Sequence, residues 1–331
     1  WMGQRVSTYA SVKQRVKLSD LIKLKGMSSC LGKGVSGTVW KVMDQSVKEI
    51  LALKEMKYEA DDDKCRLIIQ EMQIMLELDH PHIVACHGVF FNSGLFQIVM
   101  EFMDGGSLLD MLRQGDHRVE PYVLQSVGKQ VLLAMVYLHK EMRVIHRDVK
   151  PGNILLNLKG EVKLADFGVA SSPRDTRESQ CATWVGTVTY MSPERITGEK
   201  YAFNADVWAV GVMLVEAAIG RYPYLTEDMQ KKEGKQVNFW DLLHVMLNDG
   251  CASRKLVDSG SYPEFVNFRS FVEQLLDKDH VTRPSAEEAL GHPWMAACSS
   301  DLFTRVSRWV SCGTQERRGA ECTRISQGLK N

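Results

Sequence analysis

The period of the hydrophobic pattern changes once along this chain, at Asp104-Gly105-Gly106. Upstream, apolar residues alternate as on half-buried strands; downstream, they recur at three- and four-residue spacing, as on helices. The pattern calls for an α+β fold with a strand-rich first part, a break in regular structure at the glycine pair, and a mostly helical second part. A length of 331 residues, roughly twice a common domain, allows each part its own core.

Residues Cys30 to Met56 read as a strand, a glycine-rich turn, a second strand, a turn at Met43-Asp44-Gln45-Ser46, and a third strand running through Leu51-Ala52-Leu53-Lys54. Asp61 to Asp63 then supply acids at a helix start, with Ile68, Met72, Met75 and Leu76 at helical spacing. Ile83 to Phe91 and Leu95 to Phe102, separated by Asn92-Ser93-Gly94, read as a hairpin. In the second part, Leu124, Val127, Val131, Ala134 and Leu138 share one helix face, and Val207 to Ala218 predicts a helix buried all round. Ser171 to Ser192 is the longest loop that the pattern allows.

Several functional classes are excluded by composition. Forty-one basic and forty-one acidic side chains balance, so nucleic acid is not expected as a main partner. The ends are more basic: residues 1–30 hold six basic residues and one acid, and 296–331 six and three. Eight cysteines without a CxxC pair fit reduced thiols in a cytoplasmic protein and no metal cage. The uncharged run from His80 to Met100 contains three histidines, a proline and two glycines, so no membrane span is expected.

Two constellations carry chemistry. Gly32-Lys33-Gly34-Val35-Ser36-Gly37 is a GxGxxG that leads into a strand, Thr38 to Val42, and such glycines let backbone N–H groups approach phosphate oxygens. Lys54 follows at the end of an apolar strand, and Glu71 lies on the inward side of the next helix. The second is Val144-Ile145-His146-Arg147-Asp148-Val149-Lys150-Pro151-Gly152-Asn153, with Asp166-Phe167-Gly168 thirteen residues on. Phosphoryl transfer to a hydroxyl needs a carboxylate to orient and deprotonate it, oxygen ligands for Mg²⁺, and cations on the phosphates. Asp148, Asn153, Asp166, Lys150 and Lys54 are of those types.

This order of motifs resembles the eukaryotic protein kinases over about residues 27–295, with an N-lobe at 27–103, a C-lobe at 104–295, and flanks at 1–26 and 296–331. The resemblance implies a two-lobed kinase fold with one regulatory helix in the β-rich lobe, and ATP and Mg²⁺ as cofactors. It implies Asp148 as base and Lys150 beside the transferred phosphate, with Asn153 and Asp166 on Mg²⁺ and Lys54 on the ATP phosphates and paired with Glu71. It also implies a nucleotide site formed by Gly32, Lys33, Gly34, Val35, Ser36, Gly37, Val39, Ala52, Met100, Glu101, Met103 and Leu155. In it Met100 is the gatekeeper, and Glu101 to Met103 form the hinge. Glu194 of Ser192-Pro193-Glu194 would pair with Arg283, and the helix after Asp206 would anchor the catalytic loop.

Leu31 to Gly34, Met100 to Leu108 and Gly186 to Ile196 are similar to the MAP kinase kinases. That resemblance implies a MAP kinase substrate phosphorylated on Thr and Tyr, and an upstream MAP kinase kinase kinase acting on Ser179 and Thr183, where phosphates would pair with Arg147. Val35-Ser36 departs from the aromatic often found at the loop tip, Ala165 replaces the cysteine some relatives carry before DFG, and no proline-rich insert follows Tyr224. Two alternatives stay open: a neighbouring serine/threonine kinase, and a pseudokinase scaffold.

The ends admit two readings each. Lys13, Arg15 and Lys17 followed by Ile22 and Leu24 form either a docking peptide for a MAP kinase or a solvated lead-in to the first strand. The N-terminus is expected to be truncated. Leu302, Phe303, Val306, Trp309 and Val310 make a helical stripe that either packs on the lobe or docks an upstream kinase.

Overall fold

The structure, a computed structural model, describes residues 15–24, 29–34, 37–57, 69, 72–113, 118–166, 188–225, 239–248, 252–254, 256, 266–298 and 301–328. These form an α+β protein of two compact units, which divide between Met103 and Asp104.

The first unit holds an antiparallel sheet of six strands, β1 (Leu21–Lys23), β2 (Cys30–Gly34), β3 (Gly37–Asp44), β4 (Glu49–Lys57), β5 (Cys86–Asn92) and β6 (Leu95–Glu101), and residues 72–77 are helical with Met72 and Met75 buried, as their spacing predicts. The strand order is β1-β3-β4-β6-β5, with β2 also on β3. The four-residue turn after β3 is closed by the Asp44 carboxylate, which accepts the Ser46 N–H at 2.8 Å and its hydroxyl at 2.6 Å. The β5 strand starts three residues later than the hydrophobic run suggests: Ile83 makes only an isolated bridge, and it and Val84 are buried ahead of the strand.

Register decides what each face does. Trp40, Leu53 and Val99 lie directly opposite one another across three strands, as do Val42 and Leu51 next to them. Opposed residues share a face, and this one is apolar: Val42, Leu51, Leu53 and Val99 pack with Val16, Leu21, Trp40 and Phe90. Each fully buried aliphatic there contributes roughly 1.5–3 kcal/mol. Residues 21–23 thus belong to the sheet as its edge strand, while Arg15, Lys17 and Ile22 stay exposed and Lys13 lies outside the described residues. Leu21 to Lys23 ladder onto Val42 to Asp44, and the Arg15 N–H donates to the His87 carbonyl at 2.9 Å.

In the second unit, α1 (Leu108–Leu112) begins with a capping box between Ser107 and Asp110. Two buried helices follow, α2 (Pro121–Val136), which widens into a π-helical turn over Tyr137–Met142, and later α4 (Asn204–Ile219). All of α4 except Asn204 and Glu216 is buried, as its unbroken apolar run requires. Between them come β8 (Ile154–Leu156) and β9 (Val162–Leu164), which form a small sheet with β7 (Gly106–Ser107) from just before α1, and then α3 (Pro193–Thr197). Helices α5 (Phe239–Asn248), α6 (Val266–Leu275), α7 (Ala286–Leu290), α8 (Pro293–Ala296) and α9 (Leu302–Gly328) complete the unit.

Helix α9 packs on α2 and on the β8–β9 hairpin. Val306 and Val310 of its stripe are fully buried, Phe303 is 44% exposed, and the Ser307 hydroxyl donates to the Leu158 carbonyl at 2.6 Å. Gly160, at φ +87°, turns the hairpin so close to α9 that a Cβ there would sit 1.8 Å from the Phe303 carbonyl oxygen. No described helix is long and apolar enough to cross a membrane.

Candidate active site

The sheet face opposite the apolar cluster carries the residues expected to meet a nucleotide. Val39 opposes Lys54, Lys54 opposes Ile98, and Ala52 opposes Met100, so Val39, Ala52, Lys54 and Met100 share that face. Lys54, Met100 and Met103 are buried. At Gly32 and Gly34 an added Cβ would meet nothing within 4 Å, whereas Gly37, at φ +124°, would place one 2.2 Å from the Glu55 carbonyl oxygen. Only glycine fits the turn at position 37. Glu101 is tied twice to Ala85: its N–H donates to the Ala85 carbonyl at 3.0 Å, and its carboxylate accepts the Ala85 N–H at 2.7 Å.

The acid–base cluster belongs to the second unit. Lys150 Nζ donates to both carboxylate oxygens of Asp148, at 2.9 and 2.8 Å. Asn153 Nδ2 donates to the second of them and to the Asp148 carbonyl, each at 2.8 Å. With both amide hydrogens used on Asp148, the side-chain oxygen of Asn153 is the atom left to face a cation. The Asn153 carbonyl accepts the Ala165 N–H at 2.8 Å, which ties the stretch before Asp166 to the same loop. Asp166 itself takes φ +53°, and Arg147 φ +72°. Such conformations cost a non-glycine residue roughly 1–2 kcal/mol, and they persist where surrounding contacts over-determine them.

The anchor of that loop is Asp206 on α4, which is fully buried. Its carboxylate accepts the N–H groups of His146 at 2.8 Å and Arg147 at 2.9 Å, and contacts His139 Nε2 at 2.9 Å. Burial pushes the Asp206 carboxyl pKa up, but these partners outweigh it and hold the carboxyl below its ordinary range. Burial lowers the pKa of His146. Its Nδ1 accepts the Asp148 N–H at 3.3 Å and its Nε2 faces the Ala165 carbonyl at 3.2 Å, an arrangement that fits a neutral ring protonated at Nε2. Glu194 and Arg283 make the expected pair, bidentate at 2.7 and 3.0 Å.

Of the residues expected at the site, Val35, Ser36, Glu71, Ser179 and Thr183 lie outside the described residues, as do Phe167 and Gly168. Leu155 is half-buried on β8, opposed to Ser107 and Lys163 and facing away from buried Ile154 and Leu156. Sequence reasoning missed three supports. Gln130 braces the hairpin by donating to the Gly160 carbonyl at 3.2 Å and accepting the Val162 N–H at 2.9 Å. His139 reaches Asp206, and Arg195 donates to the Arg147 carbonyl at 2.9 Å. Each joins residues 30 or more apart, so no local spacing signals it.

A loop that presents a carboxylate to a lysine and an asparagine in one unit, and a glycine turn with a buried strand lysine in the other, are the parts of a protein kinase. The family described as "Protein kinase domain" matches residues 27–295, and the chain belongs to it. It is thus a phosphotransferase of a family that generally uses ATP and Mg²⁺.

Curated relatives narrow the class. The chain is 38% identical to mitogen-activated protein kinase kinase 1 of Arabidopsis thaliana, over 85% of its own length and 75% of that protein. It is 40% identical to mitogen-activated protein kinase kinase 1c of Physcomitrium patens, over 82% of its length and 77% of that protein. With the dual specificity mitogen-activated protein kinase kinase dSOR1 of Drosophila melanogaster it shares 33% identity, over 95% and 80%. Within the protein kinases, this chain is of the MAP kinase kinase type.

Proposed function

We propose that this chain transfers phosphate from Mg·ATP to the Thr and Tyr of a MAP kinase activation loop, and that an upstream MAP kinase kinase kinase switches it on by phosphorylating Ser179 and Thr183. The observation that carries the proposal is the Asp148 carboxylate, both of whose oxygens are held by Lys150 while Asn153 fixes its loop. A carboxylate so restrained can orient a hydroxyl and take its proton.

The residues present fit the cofactors. Asn153 and Asp166 offer the hard oxygen ligands Mg²⁺ prefers, with the remaining positions left to phosphate and water. The open glycines at 32 and 34 fit a backbone cradle for phosphate, and Lys54 supplies a cation on the same sheet face as Val39, Ala52 and Met100. Bound Mg·ATP supplies the phosphoryl group. The chain's own part is to hold the phosphates with Lys54 and Lys150, to position the metal ligands, to pair Lys54 with Glu71, and to move one proton onto Asp148. Glu101 to Met103 would meet the adenine edge, and Leu155 is a further apolar residue proposed for the base. The pseudokinase alternative is disfavoured because Lys54, Asp148, Asn153 and Asp166 are all present.

The test uses the Ser179→Glu, Thr183→Glu double variant with Mg·ATP and a catalytically inactive MAP kinase bearing a Thr-x-Tyr loop, and locates phosphate by mass spectrometry. The same protein with Asp148→Asn is the blank. Phosphate on both Thr and Tyr is the expected result. Phosphate only on generic serine/threonine substrates would keep the kinase and discard the MAP kinase kinase substrate.

A further inference from the structure

The peptide unit between Arg147 and Asp148 is gripped at both ends. Its N–H, from Asp148, donates to His146 Nδ1 at 3.3 Å, and its carbonyl, from Arg147, accepts Arg195 Nη1 at 2.9 Å. Because Arg147 stands at φ +72°, with its own N–H fixed on Asp206 at 2.9 Å, relaxation toward an ordinary backbone would begin by rotating this peptide plane. Rotation would swing the Asp148 Cα and with it the carboxylate. Arg195 opposes that rotation from outside the loop, 48 residues away.

The surroundings explain why the residue is arginine. The Arg195 guanidinium lies 5.3 Å from the centroid of the Tyr201 ring, and Arg147 lies 6.0 Å from the same centroid. A planar cation can lie over an aromatic ring and still direct an N–H into a carbonyl. Burial lowers the Arg195 pKa, with the Asp206 carboxylate the main opposing influence and Asp148 a smaller one. Arg195 stands on α3 one residue past Glu194, whose bidentate pair with Arg283 fixes that short helix to the body of the unit. The grip is thus attached to a rigid point.

We propose that Arg195 is a positioning residue for phosphoryl transfer, aiming the Asp148 carboxylate by locking the Arg147–Asp148 peptide plane. It acts whether or not the activation segment is phosphorylated. The proposal rests on the reading of Asp148 as the base.

The test is Arg195→Met in the full chain, which keeps contact with Tyr201 but removes the donor. Turnover and KM for ATP are measured in the unmodified background and in the Ser179→Glu, Thr183→Glu background. A kcat lower by about 10- to 100-fold in both, with KM for ATP within about twofold and an unchanged melting temperature, is expected; that loss equals about 1.4–2.7 kcal/mol at 1.36 kcal/mol per decade. Arg195→Lys, which keeps one donor and the charge, should recover part of kcat, and it serves alone if the methionine variant does not fold. A loss confined to the glutamate-bearing background would assign Arg195 to the activation segment and overturn the proposal. So would a fall in kcat that tracks a fall in melting temperature and is not relieved by lysine. Full activity of Arg195→Met beside an inactive Asp148→Asn overturns only this inference, whereas full activity of Asp148→Asn overturns the reading of the base beneath it.

Discussion

Replacing Arg283 by methionine tests how the second unit holds Ser192-Pro193-Glu194 and the short helix α3. The guanidinium is fully buried, with a side-chain exposure of 0%, and the Glu194 carboxylate it meets is 2% exposed. It also donates to the carbonyls of Asp277 at 2.9 Å and Asn204 at 3.1 Å. Methionine fills most of the volume and satisfies none of these acceptors, leaving a carboxylate buried without its cation. Breaking a buried pair from one side costs about 3–5 kcal/mol. At roughly 2–4 °C per kcal/mol for a unit of this size, the melting temperature should fall by about 6–20 °C. Glu194→Leu with Arg283→Met should recover much of the loss, since an apolar pair needs no partner.

The pH dependence has a definite sign. Burial raises the Glu194 carboxyl pKa, but Arg283 and then Ser192 outweigh it, so the native pKa lies below the ordinary 4.5. Its contribution is therefore present above about pH 4.5 and lost as pH falls through the depressed native value. In Arg283→Met the largest opposing influence is gone and burial of the carboxylate dominates, a penalty that acid relieves. The gap between wild type and variant should narrow from pH 7 to pH 4 in calorimetric or circular-dichroism melts. A gap that widens on acidification, or single substitutions that simply add in the double variant, would refute the reasoning.

Two further substitutions probe other supports. Burial raises the Glu216 pKa while the Tyr190 hydroxyl, donating at 2.5 Å, opposes it, so its ionisation is a penalty that begins near pH 4.5 and is complete above the native value. Glu216→Gln keeps an acceptor for Tyr190 and should be more stable than wild type at pH 8 but equal to it at pH 4, by thermal melts. Gly160→Ala sets a methyl group against the Phe303 carbonyl at a left-handed φ of +87°. It should cost about 2–4 kcal/mol and speed amide hydrogen exchange in the first turns of α9; exchange unchanged there would mean the helix is not held by this hairpin.

The parts of the site legible in the sequence are those whose partners are close along the chain. Asp148, Lys150 and Asn153 meet one another within five residues, so their spacing alone foretells the cluster that hydrogen bonds then build. Helix α4 was legible for a different reason, because an unbroken apolar run can only be satisfied by burial on every side. The three-residue strand β1 was not legible, since so short a piece shows no alternation and exists only because Val42 to Asp44 offer it an edge.

Register and long-range polar contacts belonged to the tertiary structure. Alternation says that Val39, Ala52, Lys54 and Met100 each choose one of two faces, but only the pairing of β3, β4 and β6 puts all four on the same one. The stripe on α9 reads equally as a packing face or a docking face until Val306 and Val310 are seen buried. Likewise the strained peptide before Asp148 is held by Asp206 and Arg195, which approach it only after α3 and α4 have packed. The sequence by itself determined the chemistry and the class of element that carries it, because both depend on neighbours a few bonds away. Which faces join, and what fixes the catalytic carboxylate in place, depended on contacts between segments tens of residues apart, and only the folded chain supplies those.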